Sequence, residues 1–230
     1  MTARPIDLVI FDCDGVLVDS EPLAMRILLQ TLAEAGVELE AEAAYEAFLG
    51  KSLATVCAIL RRDHGLDVDD EALARMRARL TLAIREELQP IPGIAAALDA
   101  LDRPRCVASS SQIERIRLSL SVTGLARYFG DDIFSATMVA RGKPAPDLFL
   151  HAAERMRVEP GGCIVIEDSP AGVSAALEAG MGVFGFAGGS HARSAAHRAK
   201  LEALGPLGVF EDMEELPGLL RGLERDRKVS

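Results

Sequence analysis

The chain has 230 residues, 49% of them apolar and 26% charged, enough for a packed core and too apolar for wholesale disorder. A net charge of −10, no tryptophan and 4% aromatic residues argue against nucleic acid or an anionic membrane surface as the main partner. The four cysteines form no CxxC pair, no apolar leader opens the chain and no run reaches membrane-spanning length, so the expectation is a reduced cytoplasmic protein.

In chain order, residues 6–11 read as a buried strand that runs into Asp12-Cys13-Asp14-Gly15. A period of two sets Asp12 and Asp14 on one side and Cys13 on the other. Two like charges side by side call for a cation or a shared proton. From residue 20 to 88 the pattern is helix after helix, at about 21–36, 40–48, 52–64 and 70–88. The apolar rows Leu28, Leu32 and Leu73, Met76, Leu80 suit a small bundle. The chain returns through Gln89-Pro90-Ile91-Pro92-Gly93, stiff and turn-prone as a hinge should be. The expected organisation is a core of residues 1–17 and 90–230 with an inserted helical domain of residues 18–89.

Residues 105–109 form the next strand, ending in Ser109-Ser110-Ser111. Ser111 with Glu114 has the spacing of a capping box, which gives Ser111 a structural reading. Ser109, at the strand tip, is placed to bind an anion with the amides of the following turn. A short strand at 133–135 precedes Gly142-Lys143-Pro144-Ala145-Pro146. Lysine is scarce here, four against 21 arginines, and an ammonium held between a glycine and a rigid Pro-x-Pro suits an anionic oxygen. The strand at 163–167 ends in Glu167-Asp168, and Ser169-Pro170 open a helix. If the first and fourth strands are neighbours, Asp12 and Asp168 meet at their tips. Two or three carboxylates with waters then describe a Mg²⁺ site.

A last strand is read at 181–186, and the charged end from about residue 221 is expected to fray. Helical rows between the strands (Ile113, Ile116, Leu120; Leu148, Ala152, Met156) make the fold class α/β, a parallel sheet covered on both faces.

Taken together, Asp12-Cys13-Asp14-Gly15, the serine-ended strand, Lys143-Pro144 and Glu167-Asp168-Ser169 resemble the haloacid dehalogenase-like superfamily over nearly the whole chain, in order and spacing. The resemblance implies a Rossmann-like core, a mobile helical cap, Mg²⁺ as cofactor and phosphoryl transfer through an aspartyl-phosphate. It makes Asp12 the nucleophile and Asp14 the acid and base. Ser109, Ser110 and Lys143 would bind the phosphoryl group. Asp12, the backbone carbonyl of Asp14, Asp168 and Glu167 (directly or through water) would hold the metal. Lys51 falls in the loop that the resemblance places against the leaving group, as a reader of substrate identity.

The family branches also differ. An aspartate at position 14 points to phosphate esters rather than carbon–halogen or carbon–phosphorus bonds. Ala24 and Leu53 stand where the β-phosphoglucomutase branch carries a histidine and an arginine. The chain looks most like bacterial sugar- and sugar-acid-phosphate phosphatases, so the expected partner is a small phosphorylated metabolite and the expected state a monomer or weak homodimer. A phosphosugar mutase is the first alternative. A non-hydrolytic binding protein and a protein phosphatase are the others.

Overall fold

The computed structural model describes residues 6–48, 53–192 and 194–229. It separates into two compact units, Met1–Asp19 with Gln89–Ser230, and Ser20–Leu88.

The first unit is built on strands β1 (Leu8–Phe11), β2 (Arg105–Ser109), β3 (Ile133–Ser135), β4 (Cys163–Glu167), β5 (Gly182–Phe186) and β6 (Gly208–Phe210). All pair in parallel, in the order β3-β2-β1-β4-β5-β6. Such sheets are buried on both faces, which is why β1 is an unbroken apolar run and β4 is apolar up to its last residue, Glu167, with every residue of both buried. Leu8, Ile10, Cys106, Cys163, Val165 and Val183 pack with Phe149 and Ala152 of one covering helix and Val173 and Ala176 of another. The register pairs Phe11 with both Val107 and Ile166, so the C-terminal ends of β1, β2 and β4 lie side by side. That edge of an open α/β sheet is where ligands bind.

Helices α5 (Ile94–Asp99), α6 (Ile113–Val122), α7 (Asp147–Met156), α8 (Pro170–Glu178), α9 (Ala195–Glu202) and α10 (Leu216–Val229) belong to this unit. Two details differ from the sequence reading. Strand β6 adds an edge that its three residues, Gly-Val-Phe, are too few to announce. The C-terminal segment is helical to Val229 instead of frayed from 221. Leu216 and Leu220 are buried, and Glu224 accepts a 2.7 Å hydrogen bond from Arg103. The two chain crossings between the units are tied to each other, Val18 bridging Pro90 and the Asp19 amide donating to the Gln89 carbonyl at 3.0 Å.

The second unit holds the four helices α1 (Glu21–Glu34), α2 (Ala41–Phe48), α3 (Leu53–His64) and α4 (Asp70–Glu87) among the described residues. Its core is Met25, Leu32, Ala44, Phe48, Val56 and Leu60. Leu73, Met76 and Leu80 of α4 are only half-buried, and Leu73 and Met76 line a cavity of about 220 Å³ between α1, α3 and α4. No helix among the described residues is long and apolar enough to cross a membrane.

Candidate active site

At the tip of β1 the Asp12 amide donates to the Ile166 carbonyl of β4, which fixes the backbone where the strand ends. The turn that follows is closed by Leu17 and Val18 amides donating to the Cys13 carbonyl. Gly15 stands in it with φ of +82°, and a β-carbon there would lie 2.1 Å from Asp168 Oδ2. Glycine is thus required both by the backbone conformation and by the close approach of β4's carboxylate.

Lys143 reaches into this corner with only 4% of its side chain exposed. Its Nζ donates to Asp12 Oδ1 at 2.7 Å, Glu167 Oε1 at 2.7 Å and the Ala108 carbonyl at 3.0 Å, three acceptors for three ammonium hydrogens. The Phe149 ring lies beneath it, centroid 4.9 Å away. Glu167, fully buried, receives the Ser169 amide and hydroxyl on Oε2 at 2.8 and 2.9 Å. Ser169 also caps α8 by accepting from the Gly172 amide. A β-carbon at Gly172 would fall 1.7 Å from Glu167 Oε1, so this helix can pass behind the carboxylate only with glycine there.

Asp12, Glu167 and Asp168 each offer an oxygen within 4.8 Å of the others. Burial pushes Asp12 well above the usual carboxylate range; Lys143 pulls it back, and Glu167 and Asp168 add to the rise. Asp168 is raised by burial and by Glu167, against the pull of Lys143. For Lys143, burial alone would depress the ammonium, but Asp12 and Glu167 outweigh it and hold the group above its ordinary value. Buried carboxylates crowded around one ammonium, two of them pushed up in pKa, are an oxygen set that a hard divalent cation fits. Both oxygens of Glu167 already hold Lys143 and Ser169. Asp12 gives one oxygen to Lys143 and Asp168 one to His191, and each has a second with which it could meet a cation.

Asp14 is half-buried beyond the strand end. Its Oδ2 accepts from the Ser111 hydroxyl at 2.6 Å and its Oδ1 from Arg115 Nη2 at 2.8 Å. This corrects the capping-box reading of Ser111. The first cap of α6 is Gln112, without a side-chain bond, and Ser111 turns to a residue 97 positions away. Ser109 is buried at the tip of β2, accepts from the Ser111 amide at 3.1 Å and lies beside the corner that Lys143 occupies, while Ser110 is exposed. Lys51 lies outside the described residues.

Arg115, His191 and His197 escaped the sequence reading. His191 Nε2 donates to Asp168 Oδ2 at 2.7 Å and His197 Nε2 to the Asp168 backbone carbonyl at 2.7 Å, with the two rings edge to face at 5.9 Å. Ser190, next to His191, donates through its hydroxyl to Asp19 at 2.7 Å. The available signal was two of the chain's four histidines placed six residues apart after β5.

A profile of the haloacid dehalogenase-like hydrolases matches residues 6–180. The 6-phosphogluconate phosphatase of Escherichia coli K12 is 35% identical over 193 residues, 84% of this chain and 87% of that protein. The fructose-1-phosphate phosphatase of the same organism is 32% identical over 174 residues, 75% of this chain and 92% of that protein. Among solved structures, a haloacid dehalogenase-like protein from Agrobacterium tumefaciens C58 superposes with a TM-score of 0.86 at 35% identity, over 95% of this chain and 99% of that one. With a parallel sheet that gathers Asp12, Lys143, Glu167 and Asp168 at one edge, and phosphatases among its relatives, this chain belongs to the haloacid dehalogenase-like hydrolase family.

Proposed function

We propose that the chain is a Mg²⁺-dependent phosphoric monoester hydrolase acting on a small phosphorylated metabolite, a sugar or sugar-acid phosphate, through an aspartyl-phosphate on Asp12. The observation that carries this reading is the buried Asp12 carboxylate at the tip of β1, tethered by Lys143 and flanked by Asp168. The names of the two Escherichia coli relatives support the substrate class.

A carboxylate is a weak nucleophile, and fixing it by one oxygen on a buried ammonium supplies the orientation on which phosphoryl transfer depends. Asp12 attacks phosphorus, the bond from phosphorus to the ester oxygen breaks, and Asp14 supplies the proton that completes the alcohol. In the second step Asp14, now a carboxylate, takes a proton from water as the water oxygen attacks phosphorus. The bond from phosphorus to Asp12 breaks and inorganic phosphate leaves. Ser109 and the Ser110 amide, at the tip of β2, would meet the phosphoryl oxygens, and Lys143 would join them by turning one of its three hydrogens from its present acceptors. Asp12, Asp168 and the backbone carbonyl of Asp14 would hold Mg²⁺, whose charge offsets that of the phosphoryl group and the carboxylates. Glu167 stands behind, fixing Lys143.

The helical insert, with Lys51, is assigned the reading of the leaving group. Phosphate release from a panel of sugar and sugar-acid phosphates tests the whole reading. Asp12→Asn should lower turnover on every active substrate by at least ~10³-fold while the protein still folds. A folded Asp12→Asn protein that still turns over would exclude Asp12 as nucleophile.

A further inference from the structure

We infer that Ser111 and Arg115 are positioning residues that hold Asp14 for the water-activating half of the reaction, an inference that rests on the function proposed above. Each donates to a different oxygen of the same carboxylate, at 2.6 and 2.8 Å. Two donors on two oxygens fix the carboxylate plane as well as its place, which a single contact leaves free to rotate. Held in this way, the carboxylate is oriented to take a proton from the water of the second step.

The clamp is itself anchored. The Ser111 amide donates to Ser109 Oγ at 3.1 Å, and the Ser111 carbonyl accepts from Ser135 Oγ at 2.7 Å, at the tips of β2 and β3. Arg115 sits in the first turn of α6, which starts two residues after Ser111. Ser111, before the cap, and Arg115, in the helix, converge on the same carboxylate. Asp14 lies past the end of β1 in the Gly15 turn, and both donors reach its carboxylate from the segment that follows β2.

The test separates the two half-reactions with p-nitrophenyl phosphate, whose leaving group needs no proton. Arg115→Gln should leave the first step near the wild-type rate and slow the second by about 10–100-fold, a part of what a general base contributes. Rapid mixing should then show a burst of about one p-nitrophenolate per active site before a slow steady state. kcat and KM should fall together and kcat/KM should be kept. Ser111→Ala should act in the same direction and more weakly, and Arg115→Lys, which keeps a charged donor, should recover part of the rate. In an Asp14→Asn background, Arg115→Gln should add nothing.

An unchanged second step in folded Arg115→Gln overturns the inference. So does a loss of kcat/KM equal to the loss of kcat, or a further loss in the Asp14→Asn background. These results leave the proposed function standing if wild type forms a phosphoenzyme and Asp12→Asn does not. Turnover by Asp12→Asn would sink the function itself.

Discussion

The two units differ in whether they bury charge: the sheet unit has exposed ion pairs, such as Arg198 with Glu202, and a buried charged corner as well. In the sheet unit Lys143, Glu167 and Asp12 are buried, and the ammonium alone has three partners. In the helical unit the ion pairs lie outside, Arg26 with Glu87 and Arg79 with Glu34, with every side chain more than a third exposed. Exposed pairs are worth about 0–1 kcal/mol each, while breaking a buried one costs several. The sheet unit is thus intolerant of change at its buried corner. The helical unit, whose ion pairs are exposed, can vary its surface at little cost.

Lys143→Met should break this contrast most severely. It leaves Asp12 and Glu167 facing each other without a counter-ion, at a cost of roughly 3–5 kcal/mol in chemical denaturation and with loss of activity. A variant with unchanged stability would mean that the pair is not what holds the corner. Charge removal at Arg79 is the matched control and should move stability by less than ~1 kcal/mol.

Proton linkage probes the same corner. Asp12 and Asp168 have pKa values raised on folding, so their contribution to stability is full below the ordinary value of 3.8 and is lost as pH rises through the raised values. Mg²⁺ should offset that loss, by about 2.7 kcal/mol at a hundred times its Kd. The gain in Tm on adding Mg²⁺ should accordingly be larger at about pH 8 than at about pH 5. A gain that ignores pH would put the cation somewhere other than these carboxylates.

Gly172→Ala is a one-carbon version of the same disturbance. Its β-carbon needs the space of Glu167 Oε1, so either the carboxylate or the start of α8 must shift, at roughly 1–3 kcal/mol. Loss of activity larger than loss of stability would show that Glu167 moved and took Lys143 with it. A further expected effect lies in the insert. Lys51→Ala should reduce kcat/KM by roughly 1–3 kcal/mol on the physiological ester and leave p-nitrophenyl phosphate almost untouched. Equal losses on both esters would assign Lys51 to the phosphate or to the fold.

The parts that were legible in the sequence are those whose meaning is local. Strands β1, β2 and β4 are apolar runs that end in Asp12, Ser109 and Glu167-Asp168, and the alternation with helices gives the parallel sheet. Lys143 stood out by scarcity and rigid neighbours, but its grip on Glu167 did not, because 24 residues separate them. Ser111 was misread for the same reason. Ser-x-x-Glu fits a capping box locally, and nothing within four residues reveals that Asp14 competes for the hydroxyl. His191 lies between β5 and α9, outside any periodic segment, and only the folded chain brings it to Asp168.

The position of β1 has a bearing on how the molecule is made. It is first in the chain yet pairs with β2, which begins at Arg105, and with β4, which begins at Cys163. During synthesis the four helices of Ser20–Leu88 emerge before either partner strand and have their own contacts to form. Asp12 has to wait, as one flank of its strand stays open until more than two thirds of the chain has been translated. Long-range pairing of this kind is the slow part of folding. The open flank of β1, apolar along its whole length, is where a growing chain would be most exposed to mispairing and in most need of a chaperone.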